Sequence, residues 1–595
     1  MDIALAEGSP AAFGAATLCE AFQSTVAVRG DRVALRTKGD KTSWTWTEYD
    51  ERVRRYAGGF AGLGVKAHDT VAILLVNRPE MNVVDMAAVH LGAVPFSIYA
   101  TSTADQTRHL LADSGARVIV TEQAFAAKVK DAIAGTRVEH VIVVDGEFDL
   151  DQLAAKAPAG FDFAAAWRAV TPEHLLTIIY TSGTTGAPKG VELTHANMMF
   201  ELRSIQAVRQ MPSDAHNVSY LPSAHIADRM GLHYLHIALG GTVTACPNPR
   251  ELFKHVAEVH PTEFTGMPRV WEKLKAGLEA KFAAESPEKR AAIQGALQAG
   301  LQRVKLEQAG QPVPEALAVG CARADQLVWA PVRAAIGFDR TRTYFTGAAP
   351  TPRDVLEFFH AINIPIAEVW GMSELSCVAT ANPIGVPKLG TVGTAMPGVE
   401  LKLASDGEVL VKSPLVMRGY RNMPEQTRET IDPDGWLHTG DIGEIDSEGY
   451  LKIVDRKKEL IINANGKNMS PANIEATLKG ASPLIGQACV IGDARPFNVA
   501  LLVLDPDGAL AFCRAHGLDL PLAKLVEHGG LRAAIEAGVA KANDQLSRVE
   551  QIKRYALLPD EWLPAGEELT PTMKLRRKAI AAKYADRIAA LYSEA

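Results

Sequence analysis

Short apolar runs rich in Val, Ile and Leu recur between about residues 30 and 240, separated by Ala- and Leu-rich stretches with helical spacing. Val71–Val76, Arg117–Thr121, His140–Asp145 and Leu176–Tyr180 have the unbroken hydrophobicity of buried strands; Arg52–Leu63, Glu80–Leu91 and Asp105–Ala112 read as helices. This alternation predicts largely parallel sheets covered by helices on both faces, with ligands outside the carboxyl ends of the strands. Residues 271–330 differ. Ala, Gln, Lys and Glu dominate Trp271–Ala284 and Ala291–Leu306, predicting a helical insert broken at Gln311-Pro312-Val313-Pro314. Strand-like sequence resumes at Arg342–Phe345 and Ile364–Val369.

From about residue 391 to 454 the period becomes two. Val399, Leu401 and Leu403 alternate with polar residues, Ser405-Asp406-Gly407 turns the chain, and Glu408–Lys412 returns. Asp441–Asp446 and Tyr450–Val454 form a second such pair. The charged segment Asp455–Glu459 then contains nothing that needs burial and reads as a hinge. Beyond it, Leu460–Asn463, Gln487–Ile491, Val499–Leu504 and Ile552–Leu558 are strand-like, and Ala472–Lys479 and Leu531–Leu546 helix-like. The predicted class is α/β. A large N-terminal domain, 1–457, has parallel-rich sheets covered by helices and a small antiparallel β subdomain at about 391–454. A smaller α+β C-terminal domain occupies 458–595.

A chain of 595 residues is too long for one core, which agrees with two domains. A formal net charge of −7 argues against nucleic acid as the main partner. Six scattered cysteines without a Cys-x-x-Cys pair fit neither a disulfide framework nor a zinc site. With no signal-peptide pattern and no apolar run near the ~20 residues of a membrane span, a cytoplasmic location is expected. Peripheral contact with the inner face of the membrane and a homodimer stay open.

Chemistry concentrates in Tyr180–Gly190, Tyr-Thr-Ser-Gly-Thr-Thr-Gly-Ala-Pro-Lys-Gly. Glycines let backbone N–H groups approach an anion, hydroxyls donate, and lysine adds charge, so this is a candidate phosphate cradle. It is not the common P-loop, because Lys189 is followed by Gly190 and not by Ser or Thr. Four further blocks stand downstream: Trp370–Glu374, Gly435–Asp441, Asp455–Pro471 and Pro571–Lys574. In this order the five resemble the adenylate-forming superfamily of acyl-CoA synthetases, luciferases and peptide-synthetase adenylation domains. Leu221–Arg229, Pro268–Lys273, the helical insert and Asn465-Gly466-Lys467-Asn468 are similar to its long-chain fatty acyl-CoA synthetase branch.

The resemblance implies a two-step ligase using ATP, Mg²⁺ and CoA, active on a fatty acid or another carboxylic acid. Thr181, Ser182, Gly183, Thr184, Thr185, Gly186 and Lys189 would hold phosphates, and Thr184 with Glu374 would position Mg²⁺. Gly347, Ala348 and Ala349 would lie along the adenine, and Trp370 would stack on it where most members carry tyrosine. Gly371, Met372 and Ser373 complete that nucleotide-binding turn. Asp441 would accept from the ribose hydroxyls and Arg456 would add a second contact. Lys574 would bridge the attacking carboxylate and the α-phosphate. Rotation of a mobile C-terminal domain about Lys458 would then admit CoA, with Gly466 and Lys467 lining its tunnel. His225 would border the acyl pocket, although a buried core histidine is an equal reading. Arg229 occupies the acyl-gate position. His233 and His236 lack a third ligand and are not read as a metal site. Three other activities remain open: an acyl-AMP ligase loading a carrier protein, a CoA ligase for a bulkier acid, and a non-catalytic acyl or nucleotide sensor.

Overall fold

A computed structural model describes residues 3–5, 7–181, 187–464, 467–564, 566–570 and 573–593. Thr70–Leu74 lies between Val94–Ser97 and Val118–Thr121, with His140–Val143 outside, and all four strands are parallel. The helices Trp46–Gly62 and Pro79–Val89 pack on one another and carry Val53, Phe60, Val83 and Met86 into the main core. A second sheet pairs Val33–Thr37 with Thr242–Ala245 and His216–Ser219 in parallel, closed by the antiparallel strand Ser43–Thr45. In a third, Glu263–Gly266, Thr343–Thr346 and Ile366–Trp370 run parallel, and two short antiparallel strands follow. Alternation sorts this third sheet's faces. Phe264, Tyr344 and Ile366 enter a core beneath the helical insert, leaving Thr265, Phe345 and Val369 on the other side.

The insert is helical as the composition predicts, with Pro268–Ala283, Pro287–Gln308 and Glu315–Ala324. Pro287–Gln308 buries only Ala296, Gly300 and Val304, four residues apart on one stripe. A Cβ on Gly300 would stand 2.3 Å from the Ala361 carbonyl oxygen, so glycine sets how closely this helix meets Arg353–Ala361. Glu400–Leu403, Glu408–Lys412, Leu437–Ile445 and Leu451–Arg456 form the expected antiparallel sheet. Toward the C-terminus, Ile485–Ile491, Asn498–Leu504 and Ile552–Leu558 build one sheet. After Asn498 the strand is apolar to its end, because Ala500 and Leu502 enter one core and Leu501 and Val503 another.

Two expectations need correction. Leu175–Thr181 is not a parallel strand: it pairs antiparallel with Lys189–Thr194, which in turn pairs with Gly419–Tyr420. The cradle sequence therefore joins the two arms of a hairpin. The helix His195–Arg209 begins only after the second arm, capped by Thr194. The hinge segment also contains a buried group. The Asp455 carboxylate is 6% exposed and accepts from the Ser470 hydroxyl at 2.6 Å and the Ala472 N–H at 3.2 Å. It thereby ties the end of Leu451–Arg456 to the start of the helix Pro471–Ala481. Among the described residues no helix is long and apolar enough to cross a membrane.

Candidate active site

A cleft of about 2600 Å³ opens where the third sheet, the hairpin, the antiparallel sheet and the C-terminal segment meet. Thr181 and Lys189 face each other across the hairpin and both line it. Gly190 follows because a Cβ there would press on Ile178 at 2.9 Å and on the Tyr180 ring at 3.1 Å. The Lys189 ammonium lies 4.7 Å from the centre of the Tyr420 ring, whose hydroxyl donates to Glu374 Oε1 at 2.8 Å. Partial burial lowers the Lys189 pKa; Lys458 adds to the fall and the Glu374 carboxylate opposes it. Lysine, phenol and carboxylate thus form one polar wall. Tyr420 was not legible in the sequence, since it lies well outside every motif. Ser182, Gly183, Thr184, Thr185 and Gly186 lie outside the described residues, as does Gly466.

Glu374 is buried at the end of a tightly specified turn. A Cβ on Gly371 would stand 1.9 Å from the Cys377 carbonyl oxygen, so only glycine fits. Ser376 is left-handed at φ 60°, and the Met417 N–H donates to the Glu374 carbonyl at 2.9 Å. Met372 and Ser373 also reach the cleft.

Beside this turn, Gly347, Ala348 and Ala349 form a shelf at the carboxyl end of Thr343–Thr346. Ala348 has φ 69°, an uncommon conformation for a residue with a Cβ. Trp370 differs from the simple stacking face expected of it, because its indole N–H donates to Asp441 Oδ2 at 2.8 Å. Arg456 pairs with Oδ1 of the same carboxylate at 2.6 Å, across the strand pair in which Asp441 faces Arg456. Burial raises the Asp441 pKa, while Arg456 and the indole N–H pull it down.

Lys574 reaches this cleft from the far end of the chain. Its backbone N–H donates to Thr570 Oγ1 at 3.0 Å and its carbonyl accepts from the Thr570 N–H at 2.9 Å, a clasp closed by Met573 at φ 64°. The side chain is water-accessible, yet it belongs to the cleft wall and protein surrounds it. That enclosure lowers its pKa and the Arg456 charge lowers it further; Asp441, Glu374 and Glu459 oppose the fall. Three residues on, the Arg577 side chain is turned inward. It holds Glu475 through two bonds of 2.6 and 2.7 Å. His225 caps a short helical turn through Ala227 N–H at 3.1 Å and borders the cleft. Burial and the Lys574 charge drop its pKa to about 4, so the imidazole is neutral at pH 7.

Arg229 does not line the cleft. It is 1% exposed, pairs with Asp85, and donates to Thr177 Oγ1 at 2.9 Å. Asp85 also meets His233 at 3.1 Å and the Tyr234 hydroxyl at 3.2 Å, which accounts for His233 without a metal. Lys467 donates its N–H to Asn463 Oδ1 at 3.0 Å in the hairpin between Ile461–Ile462 and Asn468–Met469, and it does not line the cleft. Lys458 does line it.

The sequence profile of AMP-binding enzymes matches residues 22–421, and that of the AMP-binding enzyme C-terminal domain matches 458–595. The chain belongs to the AMP-binding enzyme family. A Mycobacterium tuberculosis protein designated a fatty-acid–CoA ligase, fadD11, is 52% identical over 444 residues, covering 74% of this chain and 78% of its own. The long-chain-fatty-acid–CoA ligase FadD15 of Mycobacterium bovis is 35% identical over 570 residues, 93% of each chain. These relatives place the chain in the fatty acyl-CoA synthetase branch of the superfamily. Among solved structures, the adenylation domain of a Mycobacterium chelonae carboxylate reductase has the same fold, with a TM-score of 0.75 at 21% identity over 98% of this chain and 94% of that one.

Proposed function

We propose that this protein is an ATP-dependent acyl-CoA synthetase. It joins a long-chain fatty acid to AMP with release of pyrophosphate, then passes the acyl group to CoA. The reading rests above all on one convergence: Lys574, from the C-terminal segment, shares a cleft with Asp441, Arg456, Glu374, Lys189 and His225. The first step brings two anions together, and positive groups fixed before reaction offset their repulsion better than mobile ions do. Lys189 and the cradle 181–186 hold the β- and γ-phosphates. Trp370 and the shelf 347–349 hold the adenine, Asp441 and Arg456 the ribose. Lys574 follows charge from the acyl carboxylate to the α-phosphate, a task that suits a flexible ammonium.

Glu374 fits one protein ligand of Mg²⁺, which commonly takes one or two carboxylates and completes its shell with phosphate oxygens and water. Thr184 is its proposed partner. Bound there, the ion would neutralise phosphate charge. A neutral His225 borders the acyl carbonyl without adding a further cation beside Lys574 and Arg456. In the second step the unit 458–595 turns about Lys458, withdrawing Lys574 and bringing Gly466 and Lys467 toward the CoA path. Domain alternation of this kind is an ordinary conformational gate. A cytoplasmic site of action accompanies this reading.

The test is AMP release with a panel of carboxylic acids, ATP, Mg²⁺ and either CoA or a carrier protein. CoA-dependent turnover of long-chain acids is expected. Turnover only with carrier protein would favour an acyl-AMP ligase, and no acid-dependent AMP with either acceptor would favour a sensor.

A further inference from the structure

One branch of the cleft runs behind the shelf, along the open face of the third sheet. Thr265, Phe345 and Val369 line it from the sheet, and Cys377 and Val378 line it from the segment after the Glu374 turn. A fatty chain suits these walls, but the far end does not. There, Arg209 and Glu263 line the cleft, each with its side chain 7% exposed. Glu263 lies at the amino end of its strand, three residues before Gly266 at the shelf end, about 10 Å deeper at strand rise.

The pair is held from behind. The Arg209 guanidinium carbon lies 3.7 Å from the centre of the Phe345 ring. Thr343 donates to Glu263 Oε2 at 3.2 Å, and the Glu263 N–H donates to Asn217. On the same helix as Arg209, fully buried Glu201 accepts from the Val378 N–H at 2.8 Å and holds that lining segment. The Arg209–Glu263 contact itself is stretched: Nη1 stands 3.3 and 3.4 Å from the two carboxylate oxygens. A desolvated ion pair facing a ligand cavity is poor company for a methyl end, which displaces water and returns no hydrogen bond.

We infer that the preferred acid carries a hydroxyl at the end remote from its carboxyl, and that Arg209 and Glu263 receive it. A hydroxyl is the group that satisfies both, accepting from the guanidinium and donating to the carboxylate. A second carboxylate would meet repulsion from Glu263. This inference deepens the synthetase reading above and depends on it.

The test is kcat/KM for CoA-dependent AMP release with matched pairs of acids, from octanoic to palmitic acid and their terminal-hydroxy counterparts. At the length that spans the branch, the hydroxy acid should be favoured about tenfold or more, and Arg209→Met should collapse that ratio. A wild-type ratio at or below one at every length overturns the inference. So does an unchanged ratio in Arg209→Met or, where that variant does not fold, in Glu263→Gln. Absence of acid-dependent turnover with both series overturns the synthetase reading as well, which separates the two failures.

Discussion

Trp370 gives this site an indole N–H bonded to a buried carboxylate. Hydrogen bonds to charged groups contribute about 1.5–3 kcal/mol. Trp370→Phe keeps a π-face and removes the donor, so KM for ATP in acid-dependent pyrophosphate exchange should rise roughly tenfold; an unchanged KM would reduce Trp370 to a stacking surface. Arg229 makes the opposite case. Its pairing with Asp85 deep beneath the cleft gives it the geometry of a core ion pair, and removing one partner of such a pair costs about 3–5 kcal/mol. Arg229→Met should lower the urea midpoint sharply, and adding Asp85→Asn should recover part of the loss. A fold of undiminished stability with a shifted chain-length preference would restore the gate. The sequence showed a basic residue at a gate position; that Asp85, 144 residues earlier, would claim it depends on tertiary packing alone.

At the level of elements, what was legible had a period. The pairs in 399–412 and 441–454 alternate, and Val499–Leu504 is an unbroken apolar run, so their positions could be read directly. Lys189–Thr194 was not legible as a strand because its first residues, Lys189 and Gly190, belong to the cradle sequence. Asp455 escaped because charge usually means exposure, yet its oxygens serve the start of Pro471–Ala481. Trp370, Glu374, Asp441 and Lys574 were legible from short motifs, whereas Tyr420 and Arg209 belong to none. The tie through Asp455 makes a prediction for its element. Asp455→Ala leaves the Ser470 hydroxyl and the Ala472 N–H without their carboxylate and should destabilise the chain by about 1–3 kcal/mol, read from denaturant midpoints. Faster amide exchange should appear at the start of 471–481 first; uniform exchange along that helix would contradict the tie.

Across the whole molecule, buried titratable groups set an acid limit to stability. Burial depresses His90, His216, His225, His236 and His360 to about 4 and His195 to about 3. The unfolded chain therefore binds protons on these six below about pH 6.5 while the folded chain does not, and their contribution is lost as pH falls toward 4. Burial also raises Glu201 to about 8 and Asp228 and Glu368 to about 7. Those three act the other way, favouring the fold at low pH and losing that advantage as pH rises through 7 to 8. With six groups against three, the melting temperature should climb from pH 5 to about 6.5 and then decline slightly toward pH 8 as the three raised carboxyls lose their protons; a flat or falling profile between pH 5 and 6.5 would contradict this balance.

Residues far apart along the chain, Lys189, Glu374, Asp441 and Lys574, meet in one cleft. Lys574 is the contribution of the C-terminal segment, and its variant can be read in each half-reaction separately. Lys574→Ala should abolish acid-dependent pyrophosphate exchange while largely sparing thioester formation from supplied acyl-adenylate and CoA. Equal loss of both half-reactions, or exchange that survives, would contradict the account.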